Sequence, residues 1–239
     1  MVPHTTLALV VAIDGPSGSG KSSVSRGVAA ARGLAYLDTG AMYRAVTSAV
    51  LDRGVDPTDC VAVAQVSADL VLESGTEPDS PWVHVDGTDV GEKIRGQAVT
   101  SAVSAVSAVP EVRHRMAAMQ RSIVASAVGE GRGIVVEGRD IGTVVLPRAD
   151  VKIFLVADAG VRASRRARQD AQREGSQTVS SVAVRSDLER RDQADSSREV
   201  SPLRPAEDAV VVDATLLTLG QVVARVLELT DAAAVLELQ

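Results

Sequence analysis

Residues 13–22 read IDGPSGSGKS and follow directly on the apolar run of residues 7–11. From Gly15 to Ser22 the segment matches G-x-x-x-x-G-K-[ST], in the strand–turn–helix setting that this pattern requires. The glycines let backbone N–H groups turn inward around a β-phosphate, and Lys21 reaches the β and γ oxygens. The Ser22 hydroxyl can ligate Mg²⁺, and the helix N-terminus adds its partial positive charge. Gly15, Pro16, Ser17, Gly18, Ser19, Gly20, Lys21, Ser22 and Ser23 are therefore the candidate residues for the phosphates of a nucleoside triphosphate. A loop of this kind also constrains the fold, because it must lie between a buried strand and a helix. A glycine- and serine-rich connector is the bland alternative, and pattern and setting together disfavour it.

The rest of the chain keeps that rhythm. Apolar, β-branched runs at residues 9–13, 35–37, 133–136, 151–156 and 209–212 read as buried strands. Helical patterns fall between them at 22–32, 41–51 and 112–128, stopping at Gly33, near Gly54 and at Gly129. This alternation predicts an α/β fold with a five-stranded parallel sheet covered by helices on both faces. Residues 70–94 depart from it, with short alternating runs broken by Gly, Pro and Asp-Gly turns. They predict a small antiparallel insertion with Val83-His84-Val85 and an Asp86-Gly87 hairpin at its centre, and Trp82 in its core. A second departure follows the fourth strand. Asp158 can cap a helix running to Gly175, polar almost all round, and residues 180–195 form another charged helix. The two read as an arginine-bearing flap, and the last strand and helix close the sheet.

The loop implies a nucleotide and Mg²⁺ but leaves the reaction open. A GTPase switch needs an Asn-Lys-x-Asp motif, and the chain contains no asparagine. A mechanical ATPase usually ends an apolar strand in Asp or Asp-Glu, whereas the middle strand here ends IVVEGRD, with charge of both signs. A small-molecule kinase survives best. The single cysteine, Cys60, excludes an internal disulfide, and His4, His84 and His114 show no ligand spacing. A net charge of −6 and 2% aromatics argue against nucleic acid as a partner. Nothing approaches the ~18 apolar residues of a membrane helix, and the N-terminus lacks a basic n-region. Of the 25 basic residues only Lys21, Lys93 and Lys152 are lysines. Arginine is the better fork for phosphate oxygens, although codon bias accounts for such a skew equally simply.

Candidate acceptor residues gather at strand ends. In LDTGAMYR, Asp38 and Thr39 stand at the carboxyl end of the second strand, and Arg44 lies one turn into the next helix. A hydroxyl and an arginine there suit a second phosphate; an N-cap followed by a surface arginine explains them equally well. Glu137, Arg139 and Asp140 leave the third strand together. Asp187, Arg191, Asp195 and Arg198 follow at spacings of four, four and three, one stripe on a continuing helix, while Arg162, Arg165 and Arg166 present a second arginine face.

At this point IDGPSGSGKSS, LDTGAMYR, VVEGRDIGTVV and RRDQADSSREVSPL, in that order, resemble the bacterial cytidylate kinases over nearly the whole chain. The resemblance implies the P-loop nucleoside monophosphate kinase fold, with the β insertion binding the monophosphate and the helical arginine-rich segment acting as a lid. It implies phosphoryl transfer from ATP·Mg²⁺ to CMP or dCMP. Carried over by position, Ser104, Arg113 and Asp140 read the cytosine, and Arg191 and Asp195 meet the pentose. Arg44, Arg139 and Arg198 bind the acceptor or transferring phosphate, beside Thr39, where relatives have serine. Lys21, Arg139, Arg191 and Arg198 are the implied catalytic set, with Arg162 and Arg166 on the ATP phosphates. Ser22 is the implied Mg²⁺ ligand, with Asp38, and equally Asp14, able to reach the ion through water. Ser196-Ser197 stand where some relatives carry more charge.

The expected organisation is a core of residues 1–66, 99–157 and 199–239, a nucleoside monophosphate-binding insertion at 67–98 and a lid at 158–198. A cytoplasmic monomer with small-molecule substrates, no nucleic acid and no membrane is expected. Other small-molecule P-loop kinases, of UMP, AMP or shikimate type, and a nucleotide-regulated binding module are the alternatives.

Overall fold

The structure, a computed structural model, describes residues 8–174 and 181–236. The expected helix end at Gly175, the helix start at Ser180, and the readings of His4 and of the N-terminal residues lie outside them. Five strands run parallel in the lateral order β2-β6-β1-β7-β8: β1 Val10–Asp14, β2 Ala35–Asp38, β6 Ile134–Gly138, β7 Val151–Val156 and β8 Val210–Asp213. All five predicted strands are present within two residues. A second sheet is antiparallel, with β3 Leu72–Ser74, β4 Val83–Val85 and β5 Thr88–Asp89 in sequence order. The chain divides into two compact units, Met1–Val10 with Ala29–Glu137, and Val11–Val28 with Gly138–Gln239.

In the first unit β2 pairs with β6, Leu37 opposite Val136 and Asp38 opposite Glu137. Helix α2 (Thr39–Asp52) follows β2 without a loop, because Asp38 accepts the Ala41 amide at 2.9 Å and so caps the helix from the last residue of the strand. It presents Met42, Ala45, Val46, Ala49 and Val50 to the interior. The methionine and valine side chains among these contribute about 1.5–3 kcal/mol each on full burial. Two helices escaped the sequence reading: α3 (Cys60–Asp69), capped by Asp59, and α4 (Gln97–Val106). Both are short, and their Ala-Val-Ser composition favours no period strongly. Helix α5 (Pro110–Gly129) opens with proline at its first turn, where no amide is missed.

The small sheet turns at Asp86-Gly87, both with positive φ (50° and 76°), as a tight two-residue hairpin requires. Its core is not built on Trp82. Pleating turns Val83 inward and leaves the tryptophan 40% exposed, its ring 4.3 Å from that of His84.

In the second unit β1 pairs with β7, and β7 with β8. β8 was expected to be buried, but it is an edge strand that hides only Val212 and exposes Val210 and Val211. Helix α1 (Lys21–Arg32) leaves the glycine loop, and α8 (Leu219–Leu236) follows β8. Helices α6 (Ala159–Glu174) and α7 (Ser181–Ser196) pack through a narrow apolar seam of Ala163, Val184 and Leu188, with Ala167 beside it. Asp158 caps α6 through the amides of Gly160 and Val161.

Candidate active site

In the second unit the loop from Gly15 to Lys21 is pressed against β7. A Cβ on Gly15 would stand 2.1 Å from the Leu155 carbonyl oxygen, and φ there is +149°, so only glycine fits. Lys21 is buried and folds back over its own loop, its Nζ donating to the Pro16 carbonyl at 2.7 Å. Ser22 and Ser23 stand exposed on the first turn of α1.

Helices α6 and α7 meet this loop at Ser17. Its amide donates to Asp192 Oδ1 at 3.0 Å, and its carbonyl accepts from Arg162 at 2.9 Å. Arg162 and Asp192 form an ion pair with each other. Arg165 donates to the Ser19 carbonyl at 3.3 Å and to the Ala214 carbonyl at 2.7 Å. Asp192 did not stand out in the sequence. Its signal was its position four residues after Leu188, on the α7 face that packs on α6. Beside these residues lies a cavity of about 660 Å³, lined by Asp158, Val161, Arg165, Arg168, Thr218 and Leu219 among others.

Arg139, just past β6, donates from Nε to Asp195 Oδ2 at 2.9 Å, and Arg198 pairs with the other oxygen of the same carboxylate. α7 ends at Ser196, so the expected four-residue stripe is broken: Arg198 reaches Asp195 from beyond the helix, and Asp187 pairs with Arg190 instead. Arg191 is 8% exposed, and its Nε has no hydrogen-bond partner. Burial, then the neighbouring Arg139 charge, hold its guanidinium below the usual arginine value, against the pull of Asp195 and Asp187. Three buried or half-buried arginines thus gather at the Asp195 carboxylate, with Asp187 also acting on Arg191. Asp140 is buried, and so is Asp14, the last residue of β1. Burial pushes the Asp14 carboxyl up to about 6, although the amides of Gly142 and Ile141 pull it down; Asp140 raises it further and Lys21 lowers it.

The remaining candidates lie in the first unit. Thr39 is buried and donates to the Glu137 carbonyl at 2.7 Å, while the Glu137 carboxylate accepts from Tyr36. Arg44 donates to Thr100 Oγ1 at 3.0 Å and to the Ile94 carbonyl at 3.2 Å, so it braces α4 and the turn Lys93–Arg95. Arg113 is 4% exposed, bonded to the Ser107 carbonyl at 3.1 Å, with its charge 5.4 Å from the Tyr43 ring centroid. Ser104 stands half-buried on α4.

A family model described as cytidylate kinase matches residues 11–232. A cytidylate kinase of Nocardia farcinica is 57% identical over 215 residues, 90% of either chain. One from Streptomyces avermitilis is 54% identical over 228 residues, 95% of either chain. One from Corynebacterium diphtheriae is 49% identical over 226 residues, covering 95% of this chain and 96% of the relative. The phosphate loop, the arginine cluster and a match across nearly the whole sequence lead to one conclusion: the chain belongs to the cytidylate kinase family.

Proposed function

We propose that the protein transfers the γ-phosphoryl group of ATP to CMP and dCMP, giving ADP and CDP or dCDP. The observation that carries this reading is the convergence of Arg139, Arg191 and Arg198 on Asp195, in a chain matched over residues 11–232 by the cytidylate kinase family. Guanidiniums that repel one another at a buried site are relieved by phosphate oxygens.

Lys21 holds the β- and γ-phosphates within the loop Gly15–Ser23, leaving the carbonyl of Pro16 when they arrive. Arg162 and Arg166 serve the donor phosphates from α6, and the adjoining cavity suits the donor base. Ser22 would hold Mg²⁺, with Asp38 reaching it through water; the ion supplies charge neutralisation at the β and γ oxygens. Thr39, Arg44, Arg139 and Arg198 hold the acceptor phosphate, and Arg191 and Asp195 the pentose. Ser104, Arg113 and Asp140 read cytosine: a carboxylate accepts from the exocyclic amine, and hydroxyl and guanidinium donate to O2 and N3. Phosphoryl transfer needs little covalent chemistry from the protein, so alignment of two phosphates and neutralisation of spreading charge do the catalytic work.

In this scheme residues 1–66, 99–157 and 199–239 are the core, 67–98 bind the monophosphate, and 158–198 exclude water as a competing acceptor. A net charge of −6 favours small-molecule partners over nucleic acid. The enzyme works as a monomer in the cytoplasm, where ATP and CMP are met. The test is ADP release from ATP·Mg²⁺ with CMP, dCMP, UMP, AMP, shikimate or water as acceptor. Fast release with CMP and dCMP, slower with UMP and negligible with water is expected. Release indifferent to the acceptor would overturn the assignment.

A further inference from the structure

Asp14 ends β1 and immediately precedes the phosphate loop, and beyond a reach toward Mg²⁺ through water it has been given no role. It is 5% exposed, and both oxygens are engaged: Oδ1 accepts the Ile141 amide at 2.9 Å, and Oδ2 the Gly142 amide at 2.8 Å. These amides open the helical turn Ile141–Val145, and like all first-turn amides they have no partner within the turn. The residue at the N-cap position is Asp140, of a type that ordinarily caps with its own carboxylate. Here the Asp140 side chain makes no cap hydrogen bond. The cap comes instead from Asp14, 127 positions earlier in sequence.

The exchange has a directional consequence. An aspartate capping its own turn curls its carboxylate back over the backbone amides, where it has nothing left to offer a ligand. With Asp14 already on those amides, that conformation is closed to Asp140, and the two carboxylates repel each other. We propose that Asp14 is the positioning residue for acceptor-base recognition: by capping the turn after Arg139-Asp140 it fixes the direction of the Asp140 carboxylate, and so sets the preference for an acceptor with an exocyclic amine. The proposal rests on the reading of Asp140 as the cytosine-reading carboxylate. Asp14 itself touches no substrate, and because it adjoins Gly15 it also keeps the acceptor-reading motif in register with the donor loop.

The test is steady-state kinetics on the full chain at pH 8 with CMP and UMP as acceptors, comparing wild type, Asp14→Asn, Asp140→Ala, the double variant and Gly142→Ala. Asparagine keeps the shape but turns an N–H donor toward an amide. Asp14→Asn is expected to raise the KM for CMP about ten-fold, the size of one charge-assisted hydrogen bond, and to lower the CMP-to-UMP preference. The KM for ATP and the Mg²⁺ requirement should stay within about two-fold. The double variant should be no worse than Asp140→Ala alone, since Asp14 acts only through Asp140. Gly142→Ala probes the same contact from the other side, because its Cβ would meet Lys152 Cδ at 3.2 Å and Asp14 Oδ2 at 3.5 Å. It should give the same pattern in milder form, and it decides the matter if Asp14→Asn does not fold. Equal rises in both KM values, a loss of kcat alone, a shifted Mg²⁺ requirement or additive losses would overturn the proposal. An unchanged KM for CMP in Asp140→Ala would instead overturn the cytosine-reading role beneath it.

Discussion

Arg139 and Asp195 are joined by a 2.9 Å hydrogen bond from Nε to Oδ2, which ties the residue after β6 to the last turn of α7. Asp195 also pairs with Arg198, so one buried carboxylate holds two arginines. Asp195→Ala removes both partners at once and leaves like charges facing each other. We expect kcat/KM for CMP to fall at least about 100-fold, and urea unfolding to register a loss of about 3 kcal/mol, as for a broken buried pair. Retention of both would show that the arginines are held by something other than this carboxylate.

Lys21→Ala tests the phosphate loop. The lysine donates to the Pro16 carbonyl and, at 3.5 Å, to Ser19 Oγ, both in its own loop, so the fold should tolerate the change. Turnover should drop by about 10³-fold or more, with the thermal midpoint nearly unchanged. A variant that transfers phosphate normally would disprove the role assigned to the loop.

Asp192 tests the fastening between α7 and the loop. Asp192→Asn weakens the charged acceptor for the Ser17 amide and leaves Arg162 without its counter-ion. The expected signature is a KM for ATP raised several-fold, about 1 kcal/mol, with the KM for CMP unmoved. Parallel titrations of the two substrates would expose the opposite selectivity, which would assign Asp192 to the acceptor side.

The buried carboxyl of Asp14 makes a pH prediction with a definite sign. Its value is pushed from 3.8 to about 6, so between those pH values the folded protein binds more protons than the unfolded chain. Stability contributed by this group is therefore greatest below pH 3.8, declines as pH rises to about 6, and is flat above. The stability difference between wild type and Asp14→Asn, read by urea denaturation, should favour wild type more at pH 4.5 than at pH 7.5, by about 2 kcal/mol. A difference independent of pH would mean that the two amides cancel the effect of burial, and one that favours wild type more at pH 7.5 would mean that they outweigh it.

Much of the architecture was legible because the signals were local. The phosphate loop needs glycine at Gly15 for a close approach to β7, and the Asp86-Gly87 pair needs positive φ; both are written in residue type. Val151–Val156 was readable to the residue because a buried parallel strand is a near-continuous apolar run, here interrupted only by Lys152. Long-range matters were not. Nothing in the spacing of Asp14 and Ile141 announces that one caps the other's turn, and Asp192 looked like one more charge on a charged helix. The stripe from Asp187 to Arg198 misled because periodicity assumes an unbroken helix, whereas α7 ends at Ser196. Trp82 was assigned to a core by its size, but the pleat of a three-residue strand decided otherwise.

That tryptophan is the only one in the sequence. Its indole lies across Gly75, where a Cβ would come within 2.2 Å of Nε1, and close to the imidazole of His84. Excited near 295 nm, roughly where only indole absorbs, the protein therefore emits from a single place, the three-stranded insertion. Any event that re-seats this small sheet, such as the arrival of an acceptor, has a built-in fluorophore to report it, with no label attached.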